Sequence, residues 1–321
     1  MSSENENMES YLKRIATALE KIADHLQDIR KMRDAFHSSF PKPSPKKVNY
    51  PENTAGDMPQ TNTNTEETNM YPGGIIEFLK QKNITIKNIK TEVEADKILD
   101  DIALYMGNNY SKIKKVYELI KRHMNTGAYF NIILKNFTQD EISSITYFGH
   151  QLHQIAFLEE YKYLRSPEYK LMGKVNRIPG VLNFFSGGWL ERYVKKTIID
   201  ILENIPVRYS CLTNPQIILP NGNDFELDIL FRIENEIFWF EAKTGDYQRY
   251  VQKYAKVAKI LGLNKNNAYM ILTDIAENTA QALKTLFGMN VVDVNNFKSE
   301  FRERISMLLD EKGLKNDNHQ E

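Results

Sequence analysis

The stretch from Phe225 to Thr244 constrains this chain more than any other. It reads Phe-Glu-Leu-Asp-Ile-Leu-Phe-Arg-Ile, then Glu234-Asn235, then Glu-Ile-Phe-Trp-Phe-Glu-Ala-Lys-Thr. Two runs rich in aromatic and branched residues alternate with period two across a tight turn, the pattern of a β-hairpin. In the first run Phe225, Leu227, Ile229 and Phe231 are expected on one face, with Glu226 and Asp228 on the other. In the second, Phe238, Phe240 and Ala242 share a face, and Trp239, Glu241 and Lys243 share the opposite one.

Charge in such apolar strands is expensive, on the order of several kcal/mol when uncompensated. Two carboxylates and a lysine compensate one another best around a divalent cation. The carboxylates give hard oxygen ligands and the cation keeps water in its remaining positions. A partly desolvated lysine can orient or deprotonate an attacking water. A structural salt bridge, or plain edge charges, would leave the same residues in the same places.

The flanking pattern is α/β. A helix is expected over about Trp189 to Asn204, ended by Pro206. Strands follow at Val207–Leu212, Gln216–Leu219, Phe225–Ile233, Glu236–Lys243 and Ala268–Thr273. Helices are expected at about Asp246–Leu261, Ala276–Phe287 and Asn296–Leu309. The result is a layered domain with a central mixed sheet.

Asp228, twelve intervening residues and Glu241-Ala242-Lys243 resemble the D-x(n)-E-x-K signature of the PD-(D/E)xK (restriction-endonuclease-like) nuclease superfamily. Gly187-Gly188-Trp189-Leu190-Glu191 is similar to the G-x-x-x-E motif of the helix before it. The resemblance covers roughly residues 180–290, and its run Asn183–Glu191 with Glu241–Thr244 is similar to the nuclease half of CARF-containing CRISPR ancillary nucleases. No CARF domain is recognisable. The Q-x-x-x-Y motif of RecB-like members is missing, because neither Gln248 nor Gln252 has a tyrosine four places on.

The resemblance implies an αβββαβ core and a catalytic set of Glu191, Asp228, Glu241 and Lys243. It implies Mg²⁺ (or Mn²⁺) held by Glu191, Asp228, Glu241 and the Ala242 carbonyl. In that fold the following helix borders the cleft, so Gln248, Arg249, Lys253 and Lys256 are expected to meet nucleic acid through its phosphates. Tyr247, Tyr250 and Tyr254 on the same helix suit core packing, with base stacking as the alternative.

The rest of the chain divides by composition. Leu12, Ile15, Leu19, Ile22, Leu26 and Ile29 step by three and four. This predicts a coiled coil in residues 1–36 with Leu at a and Ile at d, which favours a trimer or tetramer over a dimer. An amphipathic helix folded on its own body is the alternative. Residues 37–71, with Pro41, Pro43, Pro45, Pro51 and Pro59, read as a disordered linker. Residues 72–177 read as a mostly helical middle domain. It has helices at Ala95–Met106 and Lys112–Met124, a short strand at Tyr129–Leu134, and a capping box at Thr138/Glu141 opening a helix to about Tyr161. The basic run Lys112, Lys114, Lys115, Lys121 and Arg122 reads as a solvated helix face, with phosphate contact as the alternative. His123, His150 and His153 lack metal spacing. Residues 178–309 are the expected nuclease domain and 310–321 a flexible tail.

Composition narrows the function classes. Of 321 residues, 41% are hydrophobic and 26% charged, and the formal net charge is zero, so a nucleic-acid contact has to rest on a local basic face. No run is long and apolar enough to span a membrane and the N-terminus lacks a signal-peptide pattern. The one cysteine, Cys211, allows neither an internal disulfide nor a zinc site, fits a small buried hydrophobe, and suggests a reducing, cytoplasmic setting. The expectation is a metal-dependent nuclease acting on DNA, with RNA possible, in prokaryotic genome defence. The alternatives are a non-cleaving nucleic-acid-binding module on the same fold and a coiled-coil scaffold.

Overall fold

The structure, a computed structural model, describes residues 73–89 and 96–311. These belong to one compact unit, Thr63–Glu321. The coiled coil read at 12–29, the linker and the last ten residues lie outside the described residues.

The chain begins with α1 (Gly73–Gln81), β1 (Thr85–Asn88), α2 (Asp96–Asn108) and α3 (Tyr110–His123). Next come β2 (Tyr129–Ile133), α4 (Gln139–Gln154), β3 (Leu158–Leu164) and β4 (Lys170–Val175). A short helix α5 (Pro179–Asn183) and a π-helical turn (Phe184–Gly188) lead into α6 (Trp189–Leu202). Then follow β5 (Tyr209–Thr213), β6 (Gln216–Ile218), β7 (Asp224–Glu226), β8 (Ile229–Ile233) and β9 (Glu236–Lys243). The chain closes with α7 (Gln248–Leu261), β10 (Ala268–Leu272), α8 (Glu277–Phe287), β11 (Asn290–Asp293) and α9 (Val294–Glu311).

The architecture is mixed α/β. Its centre is a five-stranded sheet in the order β11-β10-β9-β8-β5. The strands β5, β8 and β9 run antiparallel, while β9, β10 and β11 are parallel. Parallel neighbours need a crossover, and α7 and α8 supply the two required here. The hairpin β8–β9 turns at Glu234, whose left-handed φ of 52° suits a two-residue loop. Both faces of this sheet are covered. Ile229, Phe231, Phe238 and Phe240 pack toward α2, α6 and α9, whereas Leu230, Trp239, Met270 and Leu272 pack toward α1, α7 and α8. That double burial is why β8, β9 and β10 read as near-continuous apolar runs.

Two expectations need correction. The run Phe225–Ile233 is not one strand. Its first part, β7, pairs with β6 in a separate three-stranded sheet of order β1-β6-β7, and only β8 joins the central sheet. The chain bends at Leu227–Asp228, so Phe225 and Leu227 pack with Trp239 while Ile229 and Phe231 face the other core. The bend is held by Asp228, whose side chain accepts the Ala242 N–H at 2.9 Å in place of a ladder carbonyl.

The region before α5 also departs from a mostly helical reading. The capping box forms as read, with Thr138 and Glu141 bonding reciprocally. The helix it opens stops at Gln154, however, because Ala156 turns left-handed at φ 60°. The residues that follow form β3 and β4, which complete an antiparallel sheet of order β2-β4-β3. Gly173 looks like a breaker but lies inside β4. The Phe130 ring covers it so closely that an added Cβ would fall 2.6 Å from the ring. Ile102, Phe130, Phe148, Leu171 and Phe184 share one core with Phe240 and Phe301, so residues 102–175 and the central sheet are packed as one body.

Phe240 is the hub of that core. It is fully buried and meets the rings of Phe231, Tyr269, Phe297 and Phe301 at 5.2–6.1 Å. Phe240→Ala should lower unfolding free energy by about 3–5 kcal/mol, read as a reduced midpoint in urea denaturation. A loss below about 1 kcal/mol would show that this cluster does not hold the sheet to its helices.

Candidate active site

The bend at Asp228 opens the hairpin at one end, and the charged residues gather there. The Asp228 N–H donates to Glu241 Oε1 at 3.1 Å, and Trp239 Nε1 donates to the same oxygen at 3.2 Å. Lys243 Nζ lies 3.0 Å from Asp228 Oδ2 and 3.3 Å from Glu241 Oε2. Its other neighbour is the Tyr254 ring, 5.5 Å away on α7. Asp228 is 6% exposed and Glu241 1%. So the three residues read from the hairpin do meet, deep in the sheet rather than at its surface.

Glu191 comes from the first turn of α6, delivered by the π-helical turn at Phe184–Gly188. It connects to the trio through Asn214. The Asn214 N–H donates to the Asp228 carbonyl at 2.9 Å, and its side-chain amide donates to Glu191 Oε2 at 3.1 Å. Asn214 has φ 48°, a left-handed conformation that asparagine tolerates better than most residues. A cleft of ≈ 710 Å³ opens here, lined by Glu191, Asn214, Glu226, Ala242, Lys243 and Thr244 among others. Ala242 borders this cleft and packs in the same core as Phe238 and Phe240.

The electrostatics show an excess of negative charge. Burial pushes the Glu241 carboxyl well above the usual carboxylate range, and the nearby Asp228 adds to it. Burial and then Asp228 also raise Glu191. Burial alone would lower Lys243, but Glu241 and Asp228 outweigh it and hold the ammonium above its ordinary value. Lys243 is therefore a firm cation at neutral pH. Among the described residues no three His, Cys, Asp or Glu side chains close around a single point.

Gln248, Arg249, Lys253 and Lys256 all lie on the exposed side of α7, and none lines the cleft. Arg249 pairs with Asp246 at 3.1 Å, and Lys253 sits 4.7 Å over the Phe225 ring. Tyr254 is core, in edge contact with Trp239 and Phe225, whereas Tyr250 is exposed. Cys211 is a half-buried strand residue whose thiol is pushed up to about 12 by desolvation, which suppresses its reactivity.

Sequence reading missed Asn214, Glu226 and Lys121. The Asn214-Pro215 step is a turn signal that could have flagged the first. Lys121 reads as part of a solvated basic face, yet it is half-buried and its ammonium is lowered by burial. It donates to the Thr244 carbonyl at 2.8 Å and to Thr244 Oγ1 at 3.2 Å. The Thr244 hydroxyl in turn donates to the Ser186 carbonyl at 2.7 Å. That chain ties the end of β9 to the turn that presents Glu191.

The raised Glu191 sets a pH dependence. It holds its proton more tightly folded than unfolded, so metal-free protein loses stability as pH rises from 4.5 through the folded value. Glu191→Gln lacks this loss and keeps an acceptor for Asn214. Its melting temperature relative to wild type should therefore improve with rising pH, each tenfold change in proton affinity being worth about 1.4 kcal/mol. A variant that falls further behind wild type as pH rises would reverse the sign.

Neither a protein-family model nor a curated protein sequence matches the chain. Among solved structures it is similar to protein VC1899 from Vibrio cholerae, at 14% identity and TM-score 0.50, over 71% of this chain and 60% of that one. It is also similar to Can2 from Sulfobacillus thermosulfidooxidans in complex with cyclic tetra-adenylate, at 13% identity and TM-score 0.49, over 73% and 59%. The chain thus spans about 60% of the length of VC1899, and the likeness to it is one of fold.

Proposed function

We propose that this chain is a metal-dependent nuclease of the PD-(D/E)xK type, cutting phosphodiester bonds of DNA, with RNA as a further substrate. The observation that carries the reading is the Lys243 ammonium within 3.3 Å of both Asp228 and Glu241 at the open end of a hairpin, beside a cleft. The element order α6-β5-β8-β9-α7-β10 matches the helix–three strands–helix–strand order of that core.

The donor set suits a hard divalent cation. Lys243 contacts Asp228 and Glu241, Asn214 holds Glu191 beside them, and Glu241 and Glu191 are held above the usual carboxylate range by burial and by Asp228. Added positive charge would relieve both. Asp228, Glu241, Glu191 and the Ala242 carbonyl are the groups that would hold Mg²⁺ or Mn²⁺. Once bound, it supplies an activated water and neutralises charge on the phosphate.

The chain's own residues do the remaining work. Asn214 holds Glu191 and Asp228 in register. Lys243, fixed as a cation, donates toward the attacking water and the charge that develops on the phosphate. Trp239 and the Asp228 N–H orient Glu241. Lys121 and Thr244 keep the cleft wall in place. Arg249, Lys253 and Lys256 on α7 would meet phosphates further along the strand.

The test is cleavage of labelled DNA and RNA by the full chain with Mg²⁺, Mn²⁺ or EDTA, beside Lys243→Ala and Asp228→Asn. Metal-dependent cutting should fall by on the order of 100-fold or more in each variant. Binding without cutting by wild type points instead to a non-cleaving module. No binding and no cutting removes the nucleic-acid reading. The proposal includes assembly through residues 12–29, so light scattering of the full chain should give a trimer or tetramer, and a monomer would refute that part.

A further inference from the structure

The outward face of α7 carries an aromatic ring that the catalytic set does not use. Tyr250 is 43% exposed, unlike its core neighbour Tyr254. The two rings lie stacked, with centroids 6.0 Å apart and planes 24° from parallel. Tyr254 is itself fixed by edge contacts with Phe225 and Trp239, and its ring lies 5.5 Å from Lys243 Nζ. A rigid ladder therefore runs outward from the lysine, through one buried tyrosine, to an open tyrosine face. Arg249 and Lys253, one residue before Tyr250 and three after it on α7, are both exposed, the first paired with Asp246 and the second over the Phe225 ring.

Resting on the nuclease reading, we infer that Tyr250 is a stacking site for an unpaired base next to the phosphate at Lys243, so that the preferred substrate is single-stranded nucleic acid. An open aromatic face offers a base π-surface contact worth about 1–3 kcal/mol and indifferent to sequence. Cations on either side suit the phosphates of the same strand. A base paired within a duplex has its faces covered by its neighbours and cannot use the site unless it is extruded, which costs a few kcal/mol. The ladder is pre-formed, so Tyr250 loses little freedom on binding. Its hydroxyl plays no part in stacking, which separates this role from hydrogen bonding.

The test measures binding of the full chain to a labelled oligodeoxynucleotide and to the same sequence as a duplex, in EDTA to prevent cutting. Tyr250→Ala should weaken single-strand binding by roughly 5- to 150-fold and leave duplex binding unchanged. Tyr250→Phe and Tyr250→Trp should bind as wild type does. Thermal melts check that all three variants fold. Equal losses on single strand and duplex, a loss in Tyr250→Phe matching that in Tyr250→Ala, or no loss in any variant would each overturn the inference, as would wild type binding no nucleic acid. Tyrosine-dependent binding without metal-dependent cutting would leave the stacking site standing and remove the nuclease reading. Cutting that ignores Tyr250 would do the reverse.

Discussion

A single carboxylate decides how this sheet is built. Asp228 accepts the Ala242 N–H at 2.9 Å, gives its own N–H to Glu241 and offers its carbonyl to Asn214. Two backbone N–H groups that would pair in a ladder are satisfied by carboxylates instead, and the Asp228 carbonyl by the Asn214 backbone N–H, which the burial of this region requires. The strand can therefore end, and β7 can leave for another sheet without stranding a donor. The opening this leaves at the end of β9 is one wall of the cleft. Fold and site are thus the same set of bonds. Removing one partner of such a buried group exposes the rest to an uncompensated charge.

How legible this was depended on where each bond lies. The strands β9 and β10, the helix α7 and the capping box at Thr138 have local signatures, and they stand where periodicity puts them. Asp228, Glu241 and Lys243 sit within one hairpin, so their meeting was readable. The split at Asp228 was not. Alternation runs unbroken through Phe225, Leu227, Ile229 and Phe231, and a change of face leaves no mark when both faces are apolar. The strands β3 and β4 were hidden for another reason. Gly173 reads as a breaker unless the Phe130 ring above it is known. Asn214 reaches Glu191 across 23 residues and Lys121 reaches Thr244 across 123, and no window along the chain shows either contact.

The cations of the two basic helices have different fates. On α3, Lys112 pairs with Asp140, Lys114 with Asp274, Lys115 lies over Phe137 and Lys121 bonds Thr244. Those four cations are partnered, while Arg122 of the same run is exposed. On α7, Lys253 and Lys256 are exposed at the surface, with Arg249 in a solvent-exposed pair that is worth little and readily exchanged. A chain with zero formal charge can still present a local basic surface in this way, by pairing most of one helix's cations with acidic neighbours, a ring or a carbonyl while another's stay exposed.

Ala242 has no chemistry of its own, and in the motif it is the position where any residue is written. Here it is not free. It borders the cleft together with Lys243 and packs into the core beneath α6. Each added methylene at this position would press into that core, because Ala242 is 2% exposed. Small size at residue 242 therefore lets β9 lie against α6, which carries another wall of the cleft. A larger side chain at residue 242 would displace one wall of the cleft without touching a single charge.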